Sequence, residues 1–177
     1  ACDTKNIKKV KKIINNSKNA NLKIGFKFGL EFINSKYGRN FLSTLKKKII
    51  FLDLKLNDIP NTCISTIKAI KDLRVNYLTI HISSGLNALK AVKSISGNIK
   101  IIGVTTLTSL DQKSIKEIGY DKKLRTLVVH QSKLAKKAGL DGIVCSAQEV
   151  KYVKKVFKKE IITPGIRFKG NKNDQKR

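Results

Sequence analysis

Apolar runs of strand character recur along the chain, separated by segments of helical periodicity. Asn21 to Gly29, Ile49 to Leu56, Tyr77 to Ile82, Lys100 to Leu107, Gly142 to Ser146 and Glu160 to Gly165 read as strands. Ala1 to Asp3 reads as the tail of another. Between them, Ile7 to Ile14, Cys63 to Leu73, Leu86 to Ser94, Leu124 to Ala138 and Gln148 to Phe157 carry apolar residues three and four apart, the spacing of amphipathic helices. No linker or low-complexity insert interrupts this βα alternation, which predicts one α/β domain over 1–177.

Alternating βα units build either an open doubly wound sheet or a closed (β/α)₈ barrel. The polar positions decide between them. Asp3, Lys27, Asp53 with Lys55, His81, Thr105 with Thr108, Cys145 with Ser146, and Thr163 with Arg167 all fall at or just after the C-terminal end of a strand. A barrel collects such residues in one mouth, whereas an open sheet gathers only those near its switch point. No Gly-x-Gly-x-x-Gly fingerprint follows the early strands. The fold expected is therefore a (β/α)₈ TIM barrel. Seven strands can be counted, including the stub at Ala1 to Asp3, before the polar tail Lys169 to Arg177. The expectation is a single incomplete barrel, lacking the last βα unit and part of the first strand.

Charge changes the picture less than its size suggests. The 177 residues hold 38 basic and 12 acidic side chains, a formal net charge of +26, which would ordinarily point to nucleic acid or an anionic surface. Only five of the basic residues are Arg, at positions 39, 74, 125, 167 and 177, and the Lys residues are spread over every predicted helix. Arg makes the bidentate contacts on which base readers depend, so a nucleic-acid partner is not expected. A general attraction for anions, phosphorylated metabolites among them, remains. Cys2, Cys63 and Cys145 form no CxxC pair, which argues against both a disulfide framework and a zinc site. No apolar run approaches the ~20 residues of a membrane span, and no signal peptide is visible. A cytoplasmic location with no membrane partner is expected.

Candidate chemistry concentrates in Phe51-Leu52-Asp53-Leu54-Lys55-Leu56-Asn57-Asp58-Ile59-Pro60-Asn61-Thr62. Residues two apart on a strand share a side, so Asp53 and Lys55 are expected to project together, with Asp58 just beyond the strand end. Charges are seldom left on a buried strand without a function. Elsewhere the plainer reading holds. His81 is expected to be a hydrogen-bonded structural histidine, His130 a structural helix residue, and Cys145 a small buried hydrophobe. Glu31 suits a helix N-terminus, and Ser83-Ser84-Gly85 suits a strand-to-helix turn.

With Asp-x-Lys-x-x-Asp-Ile-Pro-Asn-Thr at 53–62, the chain resembles the orotidine 5′-phosphate decarboxylase family. Four further stretches resemble that family in order: Lys27-Phe28-Gly29-Leu30-Glu31-Phe32, Gly103 to Ser109, Gly139 to Ala147, and Thr163-Pro164-Gly165-Ile166-Arg167 with Asn173-Asp174-Gln175. The resemblance implies decarboxylation of orotidine 5′-phosphate to UMP, without metal or other cofactor, by a charged network of Lys27, Asp53, Lys55 and Asp58 in which Lys55 is the proton donor. It implies a homodimer with Asp58 acting in the neighbouring protomer's site. Asp3 and Lys27 would hold the ribose, Thr108 the pyrimidine ring, and Arg167 and Gln175 the phosphate, with Thr62 a further substrate contact. Asn57 stands where the family commonly has His, and the Gly-Arg pair that follows the family's eighth strand is not in this sequence. Magnesium-dependent sugar-phosphate decarboxylases and aldolases of the same barrel superfamily share Asp-x-Lys-x-x-Asp. The flanking Ile59-Pro60-Asn61-Thr62 and Thr163 to Arg167 favour the pyrimidine enzyme, and a basic nucleic-acid-binding protein is the more distant alternative.

Overall fold

The structure, a computed structural model, describes residues 1–17 and 21–166. The chain runs α1 (Ile7–Asn16), β1 (Gly25–Gly29), α2 (Leu30–Ile33), α3 (Gly38–Thr44), β2 (Ile49–Leu56), α4 (Pro60–Ala69), β3 (Tyr77–His81), α5 (Gly85–Ile95), β4 (Lys100–Val104), α6 (Gln112–Glu117), α7 (Leu124–Lys137), β5 (Gly142–Val144), α8 (Val150–Val156) and β6 (Glu160–Ile162). All six strands are parallel and hydrogen-bond in the order β1-β2-β3-β4-β5-β6. A doubly wound sheet reverses its strand order at a switch point; this one never does, which is the wall of a (β/α)₈ barrel.

Strand burial follows the two faces of that wall. Phe26, Phe28, Ile50, Leu52, Leu78, Ile80, Ile101 and Ile143 are buried in the core, where the strands meet the surrounding helices. Alternate positions face the barrel interior, among them Lys27, Phe51, Asp53, Val104, Val144 and Ile162. Helix pairs α4 with α5 and α7 with α8 pack on the outside. Local signals fix the helix ends: the Asn6 side chain caps α1, Pro60 occupies the first turn of α4, and the Asp111 carboxylate accepts from the Ser114 N–H at 2.9 Å to open α6. Gly139, at φ 77°, takes the left-handed turn that ends α7 and feeds β5.

Two expectations are corrected. Ala1 to Asp3 is not a strand, so the described residues hold six strands and not seven. Only the Cys2 N–H joins the sheet, donating to the Lys27 carbonyl at 2.8 Å, while the Cys2 side chain is fully buried. One ladder bond anchors this segment without extending it. Several strands are also shorter than the apolar runs that announced them. The Thr105 N–H still donates to the Val144 carbonyl at 3.1 Å, and the Cys145 N–H to the Ile162 carbonyl at 3.2 Å, before each chain turns into the mouth. Glu31 stands in the first turn of α2, as expected of it, whereas α3 and α6 were not foreseen, being too short to show two full turns of periodicity.

Candidate active site

Two adjacent strands and the N-terminal segment deliver a connected set of charges to the C-terminal mouth, and a third strand adds a hydroxyl. From β1, Lys27 Nζ lies 3.2 Å from Asp53 Oδ2 and 3.2 Å from Asp3 Oδ1. From β2, Lys55 Nζ lies 2.9 Å from the same Asp53 Oδ2. One carboxylate oxygen therefore receives both ammonium groups, and the order Asp3, Lys27, Asp53, Lys55 alternates in sign. From β3, the Thr79 hydroxyl donates to the other oxygen, Asp53 Oδ1, at 3.0 Å, and accepts from the Lys55 N–H at 2.8 Å.

Asp53 and Lys55 do project together, but regular strand alternation is not the cause. Leu52 pairs with Leu78 and Leu56 with Ile80, so Asp53, Leu54 and Lys55 all stand opposite the single residue Thr79. The strand bulges there, and Lys55 adopts the left-handed region at φ 48°. Bulges of this kind re-aim side chains beside functional sites, and a non-glycine residue in that region is held by its surroundings at a cost of about 1–2 kcal/mol.

The electrostatics agree with a pre-paired site. Burial raises the Asp53 carboxyl, but the hydrogen bond and charge of Lys55, with those of Lys27, outweigh it and leave the group below the usual carboxylate range. Burial alone would lower the Lys27 ammonium; Asp53 and Asp3 more than offset that and hold it above the usual lysine value. Both groups are thus ionised at neutral pH. The His81 imidazole is lowered by burial and then by the Lys55 charge, with Asp53 opposing weakly, so it is neutral there.

A cavity of about 610 Å³ opens over this network. Asp3, Lys27, Asp53 and Lys55 supply its charged wall, and Phe51, Val104, Val144 and Ile162 its apolar floor. Leu107, Thr108 and Ser109 form a rim on the β4 side, and Pro164 and Gly165 one beyond β6. The volume suits a small-molecule ligand with one polar and one apolar side.

The structure gathers Asp3, Lys27, Asp53, Lys55 and Thr108 around that cavity and leaves other foreseen residues apart. Asp58 is exposed beyond β2, its Oδ1 accepting from the Ile59 N–H at 2.7 Å, beside an Ile59 side chain that is 65% exposed. Thr62 sits exposed in the first turn of α4 and does not line the cavity. Arg167 and Gln175 lie outside the described residues. Two contributors were missed. Thr79, fully buried, looked like an ordinary β-former in an apolar strand. Gln131 on α7, also buried, accepts from the Thr106 N–H at 2.8 Å and the Thr106 hydroxyl at 3.1 Å, and so fixes the start of the rim that carries Thr108. A glutamine on the buried face of an amphipathic helix was the available signal. Asn57 accepts from the Ser84 hydroxyl at 3.1 Å, tying the end of β2 to the turn after β3. His81 stands beside the network at the end of β3, near enough for the charges of Lys55 and Asp53 to act on it.

Among the described residues, no helix is long and apolar enough to cross a membrane. Nor do they hold a group of three or more His, Cys, Asp or Glu side chains arranged to take a metal ion.

Known proteins resemble this chain over most of its length. The model of the orotidine 5′-phosphate decarboxylase / HUMPS family matches residues 1–177. Orotidine 5′-phosphate decarboxylase of Wolbachia pipientis subsp. Culex pipiens is 46% identical over 161 residues, spanning 88% of this chain and 71% of that protein. The enzyme of that name from Ehrlichia chaffeensis is 46% identical over 158 residues, spanning 85% of this chain and 68% of that protein. Among solved structures, orotidine 5′-phosphate decarboxylase from Lactobacillus acidophilus superposes with a TM-score of 0.80 at 31% identity, covering 93% of this chain and 79% of that one.

Proposed function

The chain belongs to the orotidine 5′-phosphate decarboxylase / HUMPS family, and from this we propose that it is a carboxy-lyase that converts orotidine 5′-phosphate to UMP at the mouth of its barrel. The observation that carries the proposal is Asp53 Oδ2, held at 3.2 Å by Lys27 and at 2.9 Å by Lys55 on the wall of the cavity. Relatives named for this reaction, at 46% identity, support it.

In this reading the substrate's ring enters above the apolar floor with its carboxylate toward Asp53. The Asp53 charge disfavours the ground state. As the bond to carbon dioxide breaks, negative charge passes to the ring carbon, where the Lys55 ammonium stabilises it and then transfers a proton. Lys55 is left as an amine and regains its proton from water when product leaves. The route uses only side chains and needs no metal. Asp3 and Lys27 hold the ribose, Thr108 faces the ring, and Arg167 and Gln175 complete substrate binding. Phosphate binding supplies energy to orient and enclose the reacting carbon, and the net charge of +26 draws the anionic substrate in.

Asp58, exposed beyond β2 and outside the cavity lining, belongs to the site of a second protomer, so the active form is a homodimer. The exposed Ile59 beside it supports a covered surface at this point. The protein works in the cytoplasm, where its three free cysteines stay reduced.

The test is conversion of orotidine 5′-phosphate to UMP, followed by ultraviolet absorbance in the presence of chelator. Undiminished turnover supports the reading. Activity that disappears in chelator and returns with magnesium assigns the site to the metal-dependent relatives instead.

A further inference from the structure

We propose that Thr79 is a positioning residue of this site, its hydroxyl fixing at once the backbone of Lys55 and the Asp53 oxygen opposite the one that takes both lysine hydrogen bonds. The inference rests on the reading of Lys55 as proton donor and Asp53 as its partner.

The bulge in β2 sets the requirement. Three residues, Asp53 to Lys55, face one residue of β3, so the backbone ladder that would normally hold Lys55 is interrupted between Leu52 and Leu56. The Lys55 N–H is taken instead by Thr79 Oγ1 at 2.8 Å, which anchors a residue standing at φ 48°. The same hydroxyl sends its single proton to Asp53 Oδ1 at 3.0 Å. A hydroxyl has one donor hydrogen and can accept as well, and here both capacities are used by the two groups whose relative placement matters most. Donation to Oδ1 turns the carboxylate plane so that Oδ2 faces Lys27 and Lys55. Because Thr79 is fully buried on a central strand, this orientation is imposed by the scaffold and not by solvent.

A buried hydroxyl is a cost unless it is satisfied, and valine would fill the same shape with greater strand preference. Valine at 79 would leave the Lys55 N–H and Asp53 Oδ1 without these partners, while serine would keep both bonds. The charged and titratable groups around Asp53 are Lys27 from β1, Lys55 from its own strand, His81 from β3, and Asp3 through Lys27. The lysine hydrogen bonds go to Oδ2 and the Thr79 bond to Oδ1, so loss of the Thr79 hydroxyl acts on a different oxygen of Asp53 from those bonds.

The experiment compares the intact parent protein with T79V, T79A and T79S by three readouts: the Asp53 carboxyl titration by carbon-13 NMR without substrate, UMP affinity, and kcat for orotidine 5′-phosphate. In T79V the Asp53 titration should move upward, since a hydrogen bond to the charged form is lost. Its kcat should fall roughly tenfold to a hundredfold, with UMP affinity changing far less. T79S should restore both titration and turnover, and T79A should behave as T79V does. An unmoved Asp53 titration, parent-like kcat in T79V, or a T79S variant as impaired as T79V would overturn the proposal. So would loss of the fold in both T79V and T79A, which would make the hydroxyl a structural group only. A parent protein without decarboxylase activity would instead sink the assigned reaction, while the NMR titration would still decide whether Thr79 orients Asp53.

Discussion

Lys55 meets Asp53 at 2.9 Å from a backbone that stands at φ 48°, so the pair forms through a bulge and not along a regular strand. The arrangement trades local stability for placement. A lysine in the left-handed region is disfavoured by about 1–2 kcal/mol, and its ion pair and the hydrogen bond of its N–H offset that cost.

This strain separates stability from activity. Lys55→Gly relieves the backbone, whereas Lys55→Ala keeps the strain, and both remove the ammonium. Urea unfolding should find the glycine variant more stable than the alanine variant by about 1 kcal/mol, with both lacking turnover. Equal stabilities, or an alanine variant more stable than the glycine one, would show that φ 48° carries no strain.

The charged network also dictates how stability responds to pH. The Asp53 carboxyl is lowered in the folded protein, so its contribution is complete above the ordinary carboxylate value and is lost as pH falls through the lower folded value. The Lys27 ammonium is raised, so its contribution is complete below its ordinary value of 10.5 and is lost as pH rises through the higher folded value. Asp53→Asn should therefore destabilise the protein at pH 7 by an amount that shrinks as pH is taken below about 4. Unfolding free energies of parent and variant across that range check it; a penalty constant with pH would contradict the assignment.

Much of this was legible in the residues, and the gaps have physical causes. The apolar runs at Ile49 to Leu56 and Tyr77 to His81 announced their strands because burial on both faces demands continuous hydrophobicity. Lys27, Asp53 and Lys55 were visible because charge on such runs is rare. The bulge was not, since no Gly or Pro marks it and its cause is the pairing of β2 with β3, a long-range relation that local pattern does not encode. Thr79 went unnoticed for the same reason: its importance lies in facing three residues of another strand. Ala1 to Asp3 fits the repeating pattern as the tail of a strand, yet its single bond to Lys27 anchors it without building a ladder.

Asp58 provides a test of assembly. Asp58→Ala and Lys55→Ala protomers should each be nearly inactive alone, but mixing them should restore activity toward a quarter of the parent level if subunits exchange at random (about half the dimers are mixed, each with one intact site). Size-exclusion chromatography of differently tagged chains establishes that mixed dimers form. Mixed dimers as inactive as their parents would show that Asp58 does not act in trans.

The most direct test of the central claim is to measure turnover and UMP binding together in Lys55→Ala. If Lys55 is the group that stabilises and protonates the nascent carbanion, kcat for orotidine 5′-phosphate should fall by at least about 10³-fold, while UMP still binds with affinity near that of the parent. Near-parent turnover in this variant would contradict the account.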